Sequence, residues 1–99
     1  ENDGAIANMQ NDAMVEVVCE LGINGPRPMR VGSIPQFYLG LLVQQVSCEK
    51  LLVDAFYEHS YQKALQAFTL NRLINDAKKA RKVLDALIEA NKGMWPELK

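Results

Sequence analysis

The rhythm of apolar and polar positions changes along the chain. Residues 13–21 read Ala-Met-Val-Glu-Val-Val-Cys-Glu-Leu. Val15, Val17, Cys19 and Leu21 alternate there with Glu16, Val18 and Glu20. A period of two, rich in β-branched residues, predicts a half-buried strand. Gly22-Ile23-Asn24-Gly25-Pro26-Arg27-Pro28 is a turn cluster, and Met29-Arg30-Val31 predicts a short second strand paired with the first. Ahead of both, Asn2-Asp3-Gly4 and Asn11-Asp12 are turn signals around an irregular stretch at 5–9.

From Pro35 the pattern becomes helical. Ile34 precedes a proline and is pushed toward extended geometry, while Pro35 suits a first helical turn. A long helix is predicted from Phe37 to about Glu58. Its first part, residues 37–43, is apolar nearly all round. An amphipathic helix on a small domain needs only one stripe, so this face expects a neighbour beyond these residues. His59-Ser60 is a break, with Ser60 as N-cap of a second helix from Tyr61 to Leu70. Ala64, Leu65, Ala67 and Phe68 should face inward. Residues 71–75 connect to a third helix from about Asp76 to Asn91. Ala77, Ala80, Val83, Leu84, Leu87 and Ile88 mark its predicted inner face, Gly93 its C-terminal cap, and Trp95 should anchor the tail on the surface. The fold class is therefore α+β: a β-hairpin followed by three α-helices.

Composition narrows the function classes. A chain of 99 residues, 48% hydrophobic and 23% charged, is an ordinary globular sequence of one domain at most. A net charge of −1 gives no global pull toward nucleic acid or membrane, and no apolar run reaches spanning length. Charge is unevenly placed. Glu1, Asp3, Asp12, Glu16 and Glu20 precede the first basic residue, Arg27. Lys78, Lys79, Arg81 and Lys82 form a basic cluster that reads as a solvated helix face. Cys19 and Cys48 read as two buried free thiols, without metal-ligand spacing. His59, the only histidine, reads as structural or exposed at a helix end. The acid pairs Glu16/Glu20 and Asp85/Glu89 recur at strand and helix spacing, and neither reads as a hydrolytic pair. No dinucleotide, phosphate-loop, nucleophile-elbow or zinc-protease motif is present. The chain opens on Glu1-Asn2-Asp3-Gly4, not on methionine, and is read as a fragment.

An ordered set of short segments carries a resemblance. Gly4-Ala5-Ile6-Ala7-Asn8 is followed by Asp12-Ala13-Met14-Val15-Glu16-Val17 and then by Cys19. Asn24-Gly25-Pro26 with Pro28, Val31-Gly32-Ser33-Ile34-Pro35, Gln44-Gln45-Val46 and Glu49-Lys50-Leu51 follow in order. Val53-Asp54-Ala55, Ser60-Tyr61, Leu65-Gln66-Ala67, Ala90-Asn91-Lys92 and Trp95-Pro96-Glu97-Leu98 complete it. The set resembles the C-terminal part of family 4 glycoside hydrolases, most like the 6-phospho-α-glucosidase branch, which acts on maltose 6′-phosphate. The opening resembles the family pattern N-x-G-x-I-x-N-L/F-P-D-D-A-V-V-E-V-P. It departs from it at Met9-Gln10-Asn11.

The resemblance implies a lactate/malate-dehydrogenase-like glycosidase fold whose N-terminal Rossmann NAD-binding domain is missing here. It implies NAD and a divalent metal, typically Mn²⁺, in the parent enzyme, and none bound to this chain alone. It implies redox-assisted elimination, the route that sets this family apart from two-carboxylate glycosidases. In that route a hydride leaves the sugar C3 for NAD and a tyrosine base takes the C2 proton. The metal stabilises the enolate, and elimination, water addition and hydride return follow. The metal-binding Cys and His and the base belong to upstream segments, so Cys19 and His59 are not promoted to ligands. No catalytic, cofactor or metal residue is therefore assigned within residues 1–99. Asn2, Gly4 and Asn8 are read as a substrate-pocket rim, formed by side chain or backbone, beside the competing reading that Gly4 supplies a turn and the asparagines cap it. The implied partners are the missing domain, a phosphorylated disaccharide and a second copy in a homo-oligomer, with no nucleic acid and no membrane. Cytoplasmic location is implied with them. The chain alone is expected to be inactive. The competing readings are a stand-alone helical interaction module using the 37–43 face, and a 6-phospho-β-glucosidase or another branch of the family.

Overall fold

The computed structural model describes residues 1–99, in the order β1 (Cys19–Gly22), β2 (Gly25–Pro28), α1 (Gln36–Glu58), α2 (Tyr61–Leu70) and α3 (Ala77–Ala90). The chain divides into two compact units, Glu1–Val43 and Gln44–Lys99, with the boundary inside α1.

In the first unit the hairpin is present but displaced. β1 and β2 pair antiparallel with Cys19 opposite Pro28, Glu20 opposite Arg27, Leu21 opposite Pro26 and Gly22 opposite Gly25. The segment predicted as a turn cluster is thus mostly strand, and the bend is confined to Ile23 and Asn24. Gly25, at φ 96°, supplies the left-handed backbone that returns the chain. The prolines deceive the sequence reading because proline normally demotes a strand. Here they are tolerated for a geometric reason. Met29 N donates to Val18 O at 2.9 Å, which makes that pair hydrogen-bonded. Bonded and non-bonded pairs alternate along an antiparallel ladder, so Pro26 and Pro28 fall at non-bonded positions and their missing N–H groups cost the hairpin nothing. Arg27 and Glu20 form an ion pair across the bonded pair between them.

The predicted half-buried strand at 13–21 is corrected in the same way. Ala13 is buried and Val15 and Val17 are half-buried, while Met14, Glu16 and Val18 are exposed. The alternation is therefore real up to Val17. It stops there, because the hairpin beyond it is exposed on both faces, Cys19 and Leu21 included. Cys19 is not the buried thiol the sequence suggested; only Cys48 is buried, and both are free.

The second unit is helical. Ser60 caps α2 as expected: Lys63 N donates to its hydroxyl at 3.3 Å. His59, at φ 56°, takes the left-handed position that ends α1, and Ser60 N reaches back to Ala55 O at 3.0 Å. That six-to-one bond is a Schellman closure with histidine where glycine is usual. Asp76 caps α3, accepting from Lys79 N at 2.7 Å. Ala55, Ala64 and Leu84 form the core, lined by Tyr61, Leu65, Phe68, Ile88 and Leu98. Within α3, Ala80, Leu84 and Ile88 carry the inner face, whereas Val83 and Leu87 are exposed. The predicted stripe was too wide because α3 packs chiefly on one neighbour, α2. Gly93, at φ 84°, lies in the turn after the helix, and Asn91 is the C-cap. The tail returns to the helix break: Lys99 N donates to His59 O at 2.7 Å and Tyr61 N to Lys99 O at 3.0 Å. Trp95 sits edge-on to Phe56, centroids 6.4 Å apart, as the anchoring expectation required.

Two predictions arise here. Ser60→Ala removes the side-chain N-cap of α2 and is expected to lower the unfolding free energy by about 1 kcal/mol, read as a lower urea midpoint with unchanged slope. The Tyr61 hydroxyl donates to Asp85 Oδ1 at 2.7 Å. That bond, then partial burial and the Asp85 charge, raise the phenol above its ordinary value. A folded-state pKa above the unfolded one gives stability that is complete below the unfolded phenol pKa and is lost as pH rises through the folded one. Tyr61→Phe should therefore cost about 0.5 kcal/mol at neutral pH, the pair being partly exposed, and should flatten the alkaline loss of stability in urea titrations.

Candidate functional site

The expected rim residues lie in a loop whose conformation is dictated by one side chain. Asn2 is 2% exposed. Its amide nitrogen donates to Ile6 O at 3.0 Å and to Met9 O and Gln10 O at 3.2 Å each, and its Oδ1 accepts from Ile6 N at 2.7 Å. Its backbone joins in: Asn2 N donates to Ala13 O at 2.7 Å, and Ala5 N to Asn2 O at 2.8 Å. Asp3 and Gly4, at φ 43° and 80°, make the left-handed pair that the Asn2–Ala5 turn requires. Turns at Ile6–Met9 and Gln10–Ala13 close around the same amide, with bonds of 3.2 Å each. Asparagine suits this place because its amide satisfies several carbonyls without carrying a charge into a buried site. Ala5, Ile6, Met9 and Ala13 fill the remaining interior.

Asn8 does something different. Its amide donates to Ile34 O and its Oδ1 accepts from Ile34 N, both at 3.0 Å. The side chain thus imitates a strand neighbour. It extends a short parallel pairing in which Val31 N donates to Ala5 O at 2.8 Å and Ala7 N to Gly32 O at 2.9 Å, with Ile6 opposite Gly32. The loop is thereby fixed to the segment that leads into α1. Asp3, Ala7 and Asn8 are exposed and Gly4 half-buried, so the structure brings the three named residues into one loop. The side chains of Asn2 and Asn8 are both committed to backbone partners. Both asparagines thus act on the backbone, as the turn-capping reading has it, with partners that reach well beyond the Asn2-Asp3-Gly4 turn.

The other sequence candidates stay apart. Cys48 is buried in α1, and burial, with the neighbouring Glu49 charge, pushes its thiol up, away from reactivity. It lies on a cleft of about 290 Å³ shared with Leu52, Phe68 and Ile74 in the second unit. His59 Nδ1 lies 3.1 Å from Glu97 O, tying the tail to the helix break. Asp85 is held by Tyr61, and Glu89 pairs with Lys92 at 3.2 Å. No three His, Cys, Asp or Glu side chains converge on a metal-sized site. The arrangement can orient and support; it does not assemble an acid, a base or a nucleophile.

The description of this segment matches a known domain: the Family 4 glycosyl hydrolase C-terminal domain fits residues 1–74. The chain belongs to glycoside hydrolase family 4. It is 55% identical over 97 residues to the maltose-6′-phosphate glucosidase MalH of Clostridium acetobutylicum, covering 98% of this chain and 22% of that protein. A crystal structure of a 6-phospho-α-glucosidase from gut microorganisms, in complex with NAD and Mn²⁺, is 87% identical with a TM-score of 0.93. It covers 99% of this chain and 23% of the crystallised one. The Bacillus subtilis protein named probable 6-phospho-beta-glucosidase is 38% identical over 96 residues, 97% of this chain and 22% of that protein. The family member described here thus spans about a fifth of the length of these relatives. Its hairpin and three helices are the α+β arrangement predicted from the hydrophobic pattern, here shared with family 4 glycosidases of known structure.

Proposed function

We propose that this family 4 segment serves as the C-terminal part of an NAD- and divalent-metal-dependent 6-phospho-α-glucosidase that cleaves phosphorylated disaccharides. The carrying observation is the identity gap: 55% to a maltose-6′-phosphate glucosidase against 38% to a β-branch relative. The residues present do not fit either cofactor. Cys19 is exposed on a hairpin, Cys48 is buried in a helix, His59 is tied to the tail, and no metal-sized cluster exists. NAD would want a Gly-rich turn between a parallel strand and a helix, and the only named strands are an antiparallel hairpin. Mn²⁺ and NAD would therefore be held by residues outside this chain, and no reaction step is assigned to residues within it.

What this chain contributes is a rigid edge. The loop of Asn2, Gly4 and Asn8 lines the rim of the substrate pocket through its backbone, because the two asparagine side chains are already occupied. Phe37 and Tyr38, 69% and 58% exposed, with Leu42 beside them on α1, supply the docking face expected for the rest of the enzyme or for a second subunit. No helix is long and apolar enough to cross a membrane. A cytoplasmic site of action suits a substrate that is already phosphorylated.

The test is a chimera in which this chain replaces the matching segment of the Clostridium acetobutylicum relative, compared with the same graft in the Bacillus subtilis β-branch relative. With NAD and Mn²⁺ the chimera is expected to keep at least tenfold more of its host's rate, on a chromogenic 6-phospho-α-glucoside, than the graft keeps of its host's rate on the β anomer. Two folded, NAD-binding proteins with the opposite order would overturn the branch assignment.

A further inference from the structure

The hairpin has one open edge and one closed edge. Residues Val18, Glu20 and Gly22 turn their backbone groups toward β2, as the Met29–Val18 bond and the register require. Cys19 and Leu21 therefore turn theirs outward. On β2 the outward positions are Pro26 and Pro28, which have no N–H to offer. Strand addition at β2 is thus blocked, and β1 carries the only edge able to donate. That edge continues upstream. Residues 14–17 have no backbone hydrogen bond to any other segment, yet Val15 and Val17 are half-buried and Met14, Glu16 and Val18 are exposed, as in a strand with one face covered. A weak bond, from Cys19 Sγ to Val17 O at 3.5 Å, is local to this stretch. Half-covered backbone so poorly paired is costly, and a two-stranded hairpin is marginal on its own.

We propose that the β1 edge, continued upstream through residues 15–21, receives an added β-strand from the part of the enzyme that lies outside these 99 residues. This inference rests on the family 4 enzyme reading above, in which relatives extend to more than four times this length, the chain covering 22% of them. Charge selects against the alternative occupant, a second copy of the same strand. Residues 13–21 carry Glu16 and Glu20 and no base, and Arg27 already neutralises Glu20. Two such strands in antiparallel register would bring the unneutralised Glu16 of each toward acidic positions of the other. The strand that fits presents a Lys or Arg to Glu16 and apolar residues beside Val15 and Val17. It adds by main-chain bonds to the open edge, in the manner of β-augmentation.

Amide hydrogen exchange in the chimera and in the 99-residue chain tests this. The amides of Val15, Val17, Cys19 and Leu21 should exchange at least 100-fold more slowly in the chimera than in the chain alone. Leu21→Pro removes an outward N–H exactly as Pro26 does on the other strand. It should leave the Met29 amide as protected as before while abolishing the protection of Val17 and Cys19 in the chimera. Equal exchange of these amides in chimera and chain would overturn the proposal. So would protection in the chain alone that grows with its concentration, since that marks a second copy as the occupant.

Discussion

Asn2→Ala is expected to lower the stability of the Glu1–Val43 unit by about 2–4 kcal/mol. The basis is specific. Alanine orphans the Met9 carbonyl and the Ile6 amide and strips the second donor from the Ile6 and Gln10 carbonyls, which keep their turn bonds from Met9 N and Ala13 N. Each buried group left unsatisfied costs about 1–3 kcal/mol, and local relaxation with water entry at the partly buried Gln10 carbonyl recovers some of it. Aspartate should be no better at neutral pH, because it presents a carboxylate to the same three carbonyls with no donor among its atoms. The check is hydrogen exchange at Ile6 and Ala13 alongside a urea titration. Loss of protection at Ile6 with Leu84 unchanged is the expected pattern, since Leu84 belongs to the other compact unit.

Leu84→Ala should act on the Gln44–Lys99 unit. Leu84 is 2% exposed and is the largest fully buried apolar side chain in the chain. It meets Ala55 and Ala64, which are too small to fill the vacated space. A leucine-to-alanine change in a core costs about 2–5 kcal/mol, and the cost is greatest where neighbours cannot collapse inward. A small unit of this kind has little reserve, so the expected result is loss of cooperative thermal unfolding of the helical unit. Leu87→Ala, at an exposed position on the same helix, should change stability by no more than about 0.5 kcal/mol and serves as the control.

The helices were legible because their ends are written in local chemistry. Ser60 and the 3.6-residue pattern after it place α2 at its observed bounds. Pro35 gives the start of α1, and the Asp76 cap gives the start of α3. The hairpin was legible in existence and wrong in place. Alternation through Leu21 suggested a buried strand, but burial depends on what covers the strand, and residues 18–22 have no cover within the chain. The prolines of β2 looked like turn residues because their tolerance depends on register, which a linear reading does not contain. The Asn2 knot was hidden for a similar reason. Its partners lie between four and eight residues away along the chain, and three consecutive turns must fold before their carbonyls converge. His59 shows the limit from the other side. The break it marks was plain, while its left-handed backbone was not, because histidine rarely takes a position that glycine fills without strain.

The exposed apolar residues gain a common explanation from the family assignment. Leu21, Ile23, Phe37 and Tyr38 would be unusual on the surface of an independent domain, and all lie in the Glu1–Val43 unit. Under the proposed function these surfaces are the ones covered by the rest of the enzyme. The same view accounts for a rigid loop in a chain that assembles no catalytic group of its own.

Under the proposed function this chain is a structural part of a redox glycosidase and performs no catalysis alone. The most direct test measures hydrolysis of a chromogenic 6-phospho-α-glucoside, with NAD and Mn²⁺, by the 99-residue chain and by the chimera side by side. Turnover by the chimera and none above the buffer blank by the chain is the expected result. Turnover by the isolated chain, or a folded chimera that binds NAD and does not turn over, would contradict it.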